Sequence, residues 1–170
     1  MLQGITLGVV LSLLSLIYRA SHPQGAVLGQ LPGTEAYRDI ERHPEARTFP
    51  GMLIWRVGGD MFFASVGHFV RGIKDALAAS RPPAKHVLLD AESVNFIDTS
   101  ACDELLRLTQ ELHGLGITLA FARVRDRVRE HMRLAGLEAV IGSTNFHERI
   151  TDGVSAWEAA SSRARAIPLS

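Results

Sequence analysis

The chain has one cysteine, Cys102, among its 170 residues. An intrachain disulfide and a cysteine-rich metal site are therefore excluded, and the composition suits a reducing compartment. Net charge is missing too. Lys+Arg and Asp+Glu are both 18, so no global field steers a nucleic acid to the surface. The seven histidines (His22, His43, His68, His86, His113, His131 and His147) form no HxxxH or HxH pair, which leaves a zinc centre without its ligand spacing. GxGxxG, GxxxxGK[ST] and GxSxG are all absent, so an enzyme has little support. What remains is a globular composition, 46% hydrophobic and 21% charged, on a length suited to one domain with some chain left over.

Charge is also missing locally. From Gly4 to Ile17 there is none, and the first basic residue is Arg19. No Lys or Arg precedes the run, as a secretory signal requires, and the run falls short of the roughly 20 apolar residues of a complete span. No polar stripe interrupts it at helical spacing, as an amphipathic helix would show. Residues 1–19 thus read as the last turns of a membrane helix, with Tyr18 as interfacial belt and Arg19 as the positive-inside anchor. Everything downstream then lies on the cytoplasmic face, and Met1 is not the natural start. Residues 20–50 hold Pro23, Pro32, Pro44 and Pro50, four of the seven prolines. With "TEAYRDIERHP" and Thr34 as a cap, this stretch reads as a linker containing one brief helical turn.

Regular alternation begins at Gly51. "MLIWRVGGDMFFAS" is two apolar runs around Gly58-Gly59, a hairpin signal, with Leu53, Trp55 and Val57 on one face. "VGHFVRGIKDALAAS" places Val66, Phe69, Val70, Ile73 and Leu77 at helical spacing, and Pro82-Pro83 stops that helix. "KHVLLDA" and "ITLAFA" read as short buried strands, and "RDRVREHMRLAGL" as a helix ending near Gly136. A last short strand is expected at Ala139–Ile141, and a closing helix from Thr151 or Asp152 toward Arg163. Strands alternating with helices predict an α/β fold, a mostly parallel sheet with an antiparallel hairpin at one edge.

The chemistry concentrates in "VNFIDTSACDELLRL". Asp98, Thr99 and Ser100 fall where an apolar strand gives way to a leucine-rich helix. Each is a preferred helix cap, and Ser100 with Asp103 fits a capping box. The same geometry offers unpaired N–H groups and a dipole to an anion, or a hydroxyl to a phosphoryl group. No local histidine can serve as base to a nucleophile. A second feature is the arginine cluster Arg123, Arg125, Arg127, Arg129 and Arg133. It reads either as a solvated helix face or as a basic contact face (Arg125, Arg129, Arg133) toward anionic lipid or acidic loops. Cys102, Trp55, Phe62, Phe63 and Trp157 read as core rather than as ligand groups.

The succession "HVLLDAESVNF", "IDTSACDELLRL" and "GITLAFARV" resembles a STAS domain, the family of anti-sigma factor antagonists and of the cytoplasmic tails of SulP anion transporters. The upstream apolar helix, "ASHPQGAVLGQLPGTEAYRDIERHPEA" and "PGMLIWRVGGDMFFAS" are similar to SulP transporters between the last membrane helix and the tail. The resemblance implies a STAS-like mixed sheet of four to five strands with helices mainly on one side, over residues 51–163, with a tail at 164–170. It also implies a regulatory or assembly role beneath a sulfate or related anion transporter, without catalysis. The implied partners are the transporter's own transmembrane domain, the inner membrane surface and a cytosolic regulatory protein, with no nucleic acid. Asp98, Thr99 and Ser100 match the first three positions of the antagonists' Asp-Ser-Ser-Gly loop, which makes Ser100 the phosphoacceptor equivalent. Ala101 replaces the usual Gly and narrows the latitude of the loop. Some family members bind guanine nucleotides, so GTP or GDP is the implied ligand, and no cofactor or metal is. The rival reading is a free anti-sigma factor antagonist switched by phosphorylation of Ser100.

Overall fold

The computed structural model describes residues 2–21 and 25–166. Its elements run α1 (Leu2–Ser21), β1 (Ala26–Gln30), β2 (Tyr37–Asp39), β3 (Met52–Arg56), α2 (Val66–Ala79), β4 (His86–Asp90) and α3 (Thr99–Gly114). They continue with β5 (Thr118–Ala122), α4 (Asp126–Leu134), α5 (Leu137–Ile141), β6 (Phe146–His147) and α6 (Ile150–Ala166). Among the described residues the sheet has six strands in the order β2-β1-β3-β4-β5-β6. β3 to β6 are parallel, and β1 pairs antiparallel with both β2 and β3. The α/β class is as the sequence predicts, with one strand more than expected, but the antiparallel edge is built by β1 and β2 and not by the hairpin expected at Gly58-Gly59.

The period of two sorts side chains onto two faces. Leu53, Trp55, Val57, Val87, Leu89, Leu119 and Phe121 meet α2, α3, α4 and α5 in the larger core. Met52, Ile54, Leu88, Ala120 and Ala122 meet Ile150 and Val154 of α6 on the other face. Helices therefore lie mainly on one side. Central strands covered on both faces need continuous apolar runs, and "HVLLD" and "TLAFA" supply them.

Three local expectations are corrected. Gly58-Gly59 makes no hairpin, because neither glycine has positive φ and Met61 instead forms a parallel bridge to Ile97. Ser65 Oγ accepts the Phe62 N–H at 3.1 Å and donates to Asp60 O at 2.9 Å, so "DMFFAS" closes into a turn that leads to α2. Ala139–Ile141 belongs to helix α5, and the last strand is the short β6 beyond it. Residues 26–39, inside the segment read as linker, form β1 and β2. Thr34 caps a tight turn between them, its Oγ1 donating to Leu31 O and accepting the Ala36 N–H.

In α1 every residue from Gly4 to Ser15 is exposed, including Ile5, Leu7, Val9, Val10, Leu11, Leu13 and Leu14. No helix among the described residues is long and apolar enough to cross a membrane. The side chains of Tyr18 and Arg19 lie outside the described residues, as do His22 and Pro23.

Burial also sets one pH response. His86 opens β4, where desolvation, with a smaller contribution from His147, lowers its pKa from 6.5 to about 4. Its Nε2 is buried without a partner among the described residues. Between those two values the unfolded chain binds a proton that the folded chain refuses, so stability is full above pH 6.5 and falls as pH drops toward 4. The expected loss is about 3 kcal/mol. Urea midpoints at pH 7 and pH 4.5 should show it, and His86→Leu should flatten it. An unchanged pH slope in that variant would assign the effect elsewhere.

Candidate functional site

The Asp98–Ser100 loop is built by two aspartates. Asp98 is the N-cap of α3, and its Oδ1 accepts the Ala101 N–H at 2.7 Å. Its Oδ2 accepts the Phe63 N–H at 2.9 Å, which ties the loop after β3 to the start of α3. Asp60 does the converse, its Oδ1 accepting the N–H groups of Asn95 (2.7 Å) and Phe96 (3.0 Å). The cap is thus Asp98 to Ala101 rather than the box Ser100 to Asp103. A capping side chain typically sits on an extended residue, and Asp98 is one (φ −98°, ψ 171°), whereas Ser100 is already inside the helix.

That assignment frees the hydroxyls. Thr99 and Ser100 are exposed on the first turn of α3, at the same carboxyl edge of the parallel strands as Phe96 and Phe63, the latter exposed and not in the core where the sequence reading put it. Cys102, two residues on, is buried, and desolvation, with Asp103 and Asp98 adding to it, raises its thiol pKa to about 11, so it is unreactive. Asp98→Ala should cost about 2 kcal/mol, since it removes a cap and a loop tie, whereas Ser100→Ala should stay within about 0.5 kcal/mol. Urea unfolding of both variants decides it, and equal losses would move the cap to Ser100.

The arginine cluster divides. Arg129 pairs with Glu138 at 2.7 Å and lies 4.9 Å from the centre of the Phe146 ring, and Arg133 pairs with Glu130 at 2.6 Å. Arg125, ahead of α4, is exposed and has no carboxylate partner among the described residues. Arg125, the residue before α4, and Arg129 and Arg133 within it stand four residues apart, but two of the three charges are compensated.

Arg123 belongs to a different assembly that sequence reasoning missed. Asp90, at the end of β4, is fully buried. Its carboxylate accepts from Arg123 Nε (2.9 Å) and Nη2 (2.7 Å) and from Arg56 Nε (2.9 Å). Arg123 Nη1 also reaches Glu92 at 2.8 Å. The sequence signal was an acid closing the otherwise apolar "HVLLD": a buried carboxylate demands a cation, and the strands on either side carry one at the same edge. Arg123 has φ 59°, which breaks the strand alternation at that point.

Comparison with known proteins gives a match to the family model described as STAS domain over residues 43–153. A probable sulfate transporter of Mycobacterium tuberculosis is 33% identical over 154 residues, which is 91% of this chain and 28% of that protein. A probable sulfate transporter of Arabidopsis thaliana is 32% identical over 160 residues, 89% of this chain and 24% of that protein. The chain therefore spans about a quarter of the length of these curated relatives. Among solved structures, the murine Slc26a9 anion transporter in its inward-facing state superposes with a TM-score of 0.81 at 19% identity, covering 92% of this chain and 26% of that one. The STAS domain of a SulP transporter from Vibrio cholerae gives 0.55 at 19% identity, covering 75% of this chain and 94% of that one.

Proposed function

Since the chain belongs to the STAS domain family, we propose that it is the cytoplasmic STAS tail of a SulP-type sulfate or related anion transporter, entered from the last membrane helix. The carrying observation is α1. Seven large apolar side chains between Ile5 and Leu14 stand about half exposed or more beside a domain whose own core is complete. An apolar face of that extent is stable in lipid and not in water. The similarity to sulfate transporters, which extends over nine-tenths of this chain, supports the same reading.

In this reading α1 is the end of a spanning helix of a longer protein, and the domain folds beneath a membrane domain as its regulatory and assembly element. The partners are that domain and the inner leaflet, the latter through Arg125 as the uncompensated charge of the α4 face. Ser100, exposed on a helix start, is the position for a regulatory phosphate or for the phosphates of a guanine nucleotide. No catalytic role is assigned.

Flotation tests the membrane reading. The chain should float with anionic vesicles in a density gradient, and Leu7, Leu11 and Leu14 changed together to Gln should leave it in the soluble layer. A wild-type chain that stays soluble and monodisperse without lipid would refute the reading. For Ser100, uptake by a transporter carrying this tail should survive Ser100→Ala. Loss of uptake in a folded, inserted Ser100→Ala protein would make the hydroxyl essential rather than regulatory.

A further inference from the structure

We propose that the cleft at the carboxyl ends of β3, β4 and β5 binds a doubly charged tetrahedral oxyanion group, sulfate or phosphate, free or carried on a small molecule. The inference does not depend on the chain's being a transporter tail. The cleft has a volume of about 360 Å³. Four arginines from four separate segments line it: Arg38 of β2, Arg56 of β3, Arg123 after β5 and Arg149 before α6.

Their carboxylate partners are unequally distributed. Asp90 and Glu92 are both taken up by Arg56 and Arg123. Arg56 spends only its Nε on Asp90, which leaves its two Nη groups without a partner among the described residues. Arg38 is exposed, and among the described residues its side chain makes only a 3.4 Å contact to Tyr37 O. Arg149, with its side chain 70% exposed, has a loose 3.7 Å contact to Asp152. Glu35 is the one further carboxylate in the lining. Guanidinium forks that converge with spare N–H groups match a tetrahedral oxyanion better than any neutral ligand.

Two further observations agree. Ile150 and Thr151, at the start of the 17-residue helix α6, also line the cleft, so the positive end of that helix lies beside it. The floor is rigid: buried Asp90 holds two guanidiniums in place and Arg123 is kept at φ 59°, a backbone state that persists only where its surroundings determine it. The place is also where open α/β sheets bind ligands, outside the carboxyl ends of parallel strands. The volume exceeds that of a bare ion and leaves room for a small substituent.

Titration calorimetry on the whole chain in detergent tests this, with sodium sulfate, sodium phosphate, GTP and sodium chloride compared at one ionic strength. Sulfate or phosphate should bind with a Kd near or below about 1 mM, and chloride should give no heat. The double variant Arg38→Ala with Arg149→Ala touches only exposed side chains, so its melting temperature without ligand should not move. Its Kd for the dianions should rise at least about tenfold. A tenfold loss confined to GTP would place the oxyanion on a nucleotide. Unchanged affinities in the folded double variant, or no heat from sulfate, phosphate and GTP at about 10 mM, would overturn the proposal.

Discussion

Arg123→Ala is expected to cost the folded chain about 3 kcal/mol, and Arg123→Gly about 1 kcal/mol less. Asp90 is fully buried and accepts two of its four hydrogen bonds from Arg123, the others coming from Arg56 and from the Glu92 N–H. Removal of the guanidinium leaves a desolvated carboxylate with half its partners, and an under-compensated buried charge is among the few defects that costs several kcal/mol. The side chain of Arg123 is itself 28% exposed, which keeps the loss toward the lower end of that range. The glycine variant loses the same ion pair but is relieved of the φ of 59° that alanine must still adopt. Urea unfolding of the two variants separates the terms. Equal stabilities would show that no strain is held at residue 123, and losses below about 1 kcal/mol in both would show that Arg56 suffices for Asp90.

The same network shows what was legible in the sequence. The period of two that put Leu53, Trp55 and Val57 on one face is found in the larger core, because β3 is covered on both sides and each parity has a helix to meet. The cap at Asp98 was legible as a choice among three residues, and only the backbone angles chose between them. β1 and β2 were not legible. Pro23, Pro32, Pro44 and Pro50 surround "AVLGQ" and "YRD" with loop chemistry, and two short strands on an edge carry too few apolar residues to outweigh it. What makes them strands is the pairing of β1 with distant β3, Val27 opposite Trp55, onto which the local β1–β2 pairing, Leu28 opposite Asp39, is added. The Arg56–Asp90–Arg123 assembly spans three strands for the same reason. It requires the parallel register that sets Arg56 opposite Asp90 and Asp90 opposite Ala122, which no local window contains.

Trp55 shows how tightly this register constrains side chains, and it carries the largest expected effect: Trp55→Ala should cost about 4 kcal/mol. The indole is 9% exposed and sits between two glycines. A Cβ on Gly72 of α2 would lie 2.9 Å from Trp55 Cζ2, and one on Gly25 would collide with the same atom. In an exposed helix interior, Gly→Ala gains about 1 kcal/mol. At residue 72 the rigid indole cannot give way, so Gly72→Ala should instead lose about 2 kcal/mol. The discriminating variant is Trp55→Phe, which removes the outer atoms of the indole together with an Nε1 that is buried without a partner among the described residues. In that background Gly72→Ala should become neutral or stabilising, for a coupling of about 2 kcal/mol. Additivity of the two changes to within about 0.5 kcal/mol would mean that α2 can shift away from β3. With coupling present, both glycines are set by one side chain.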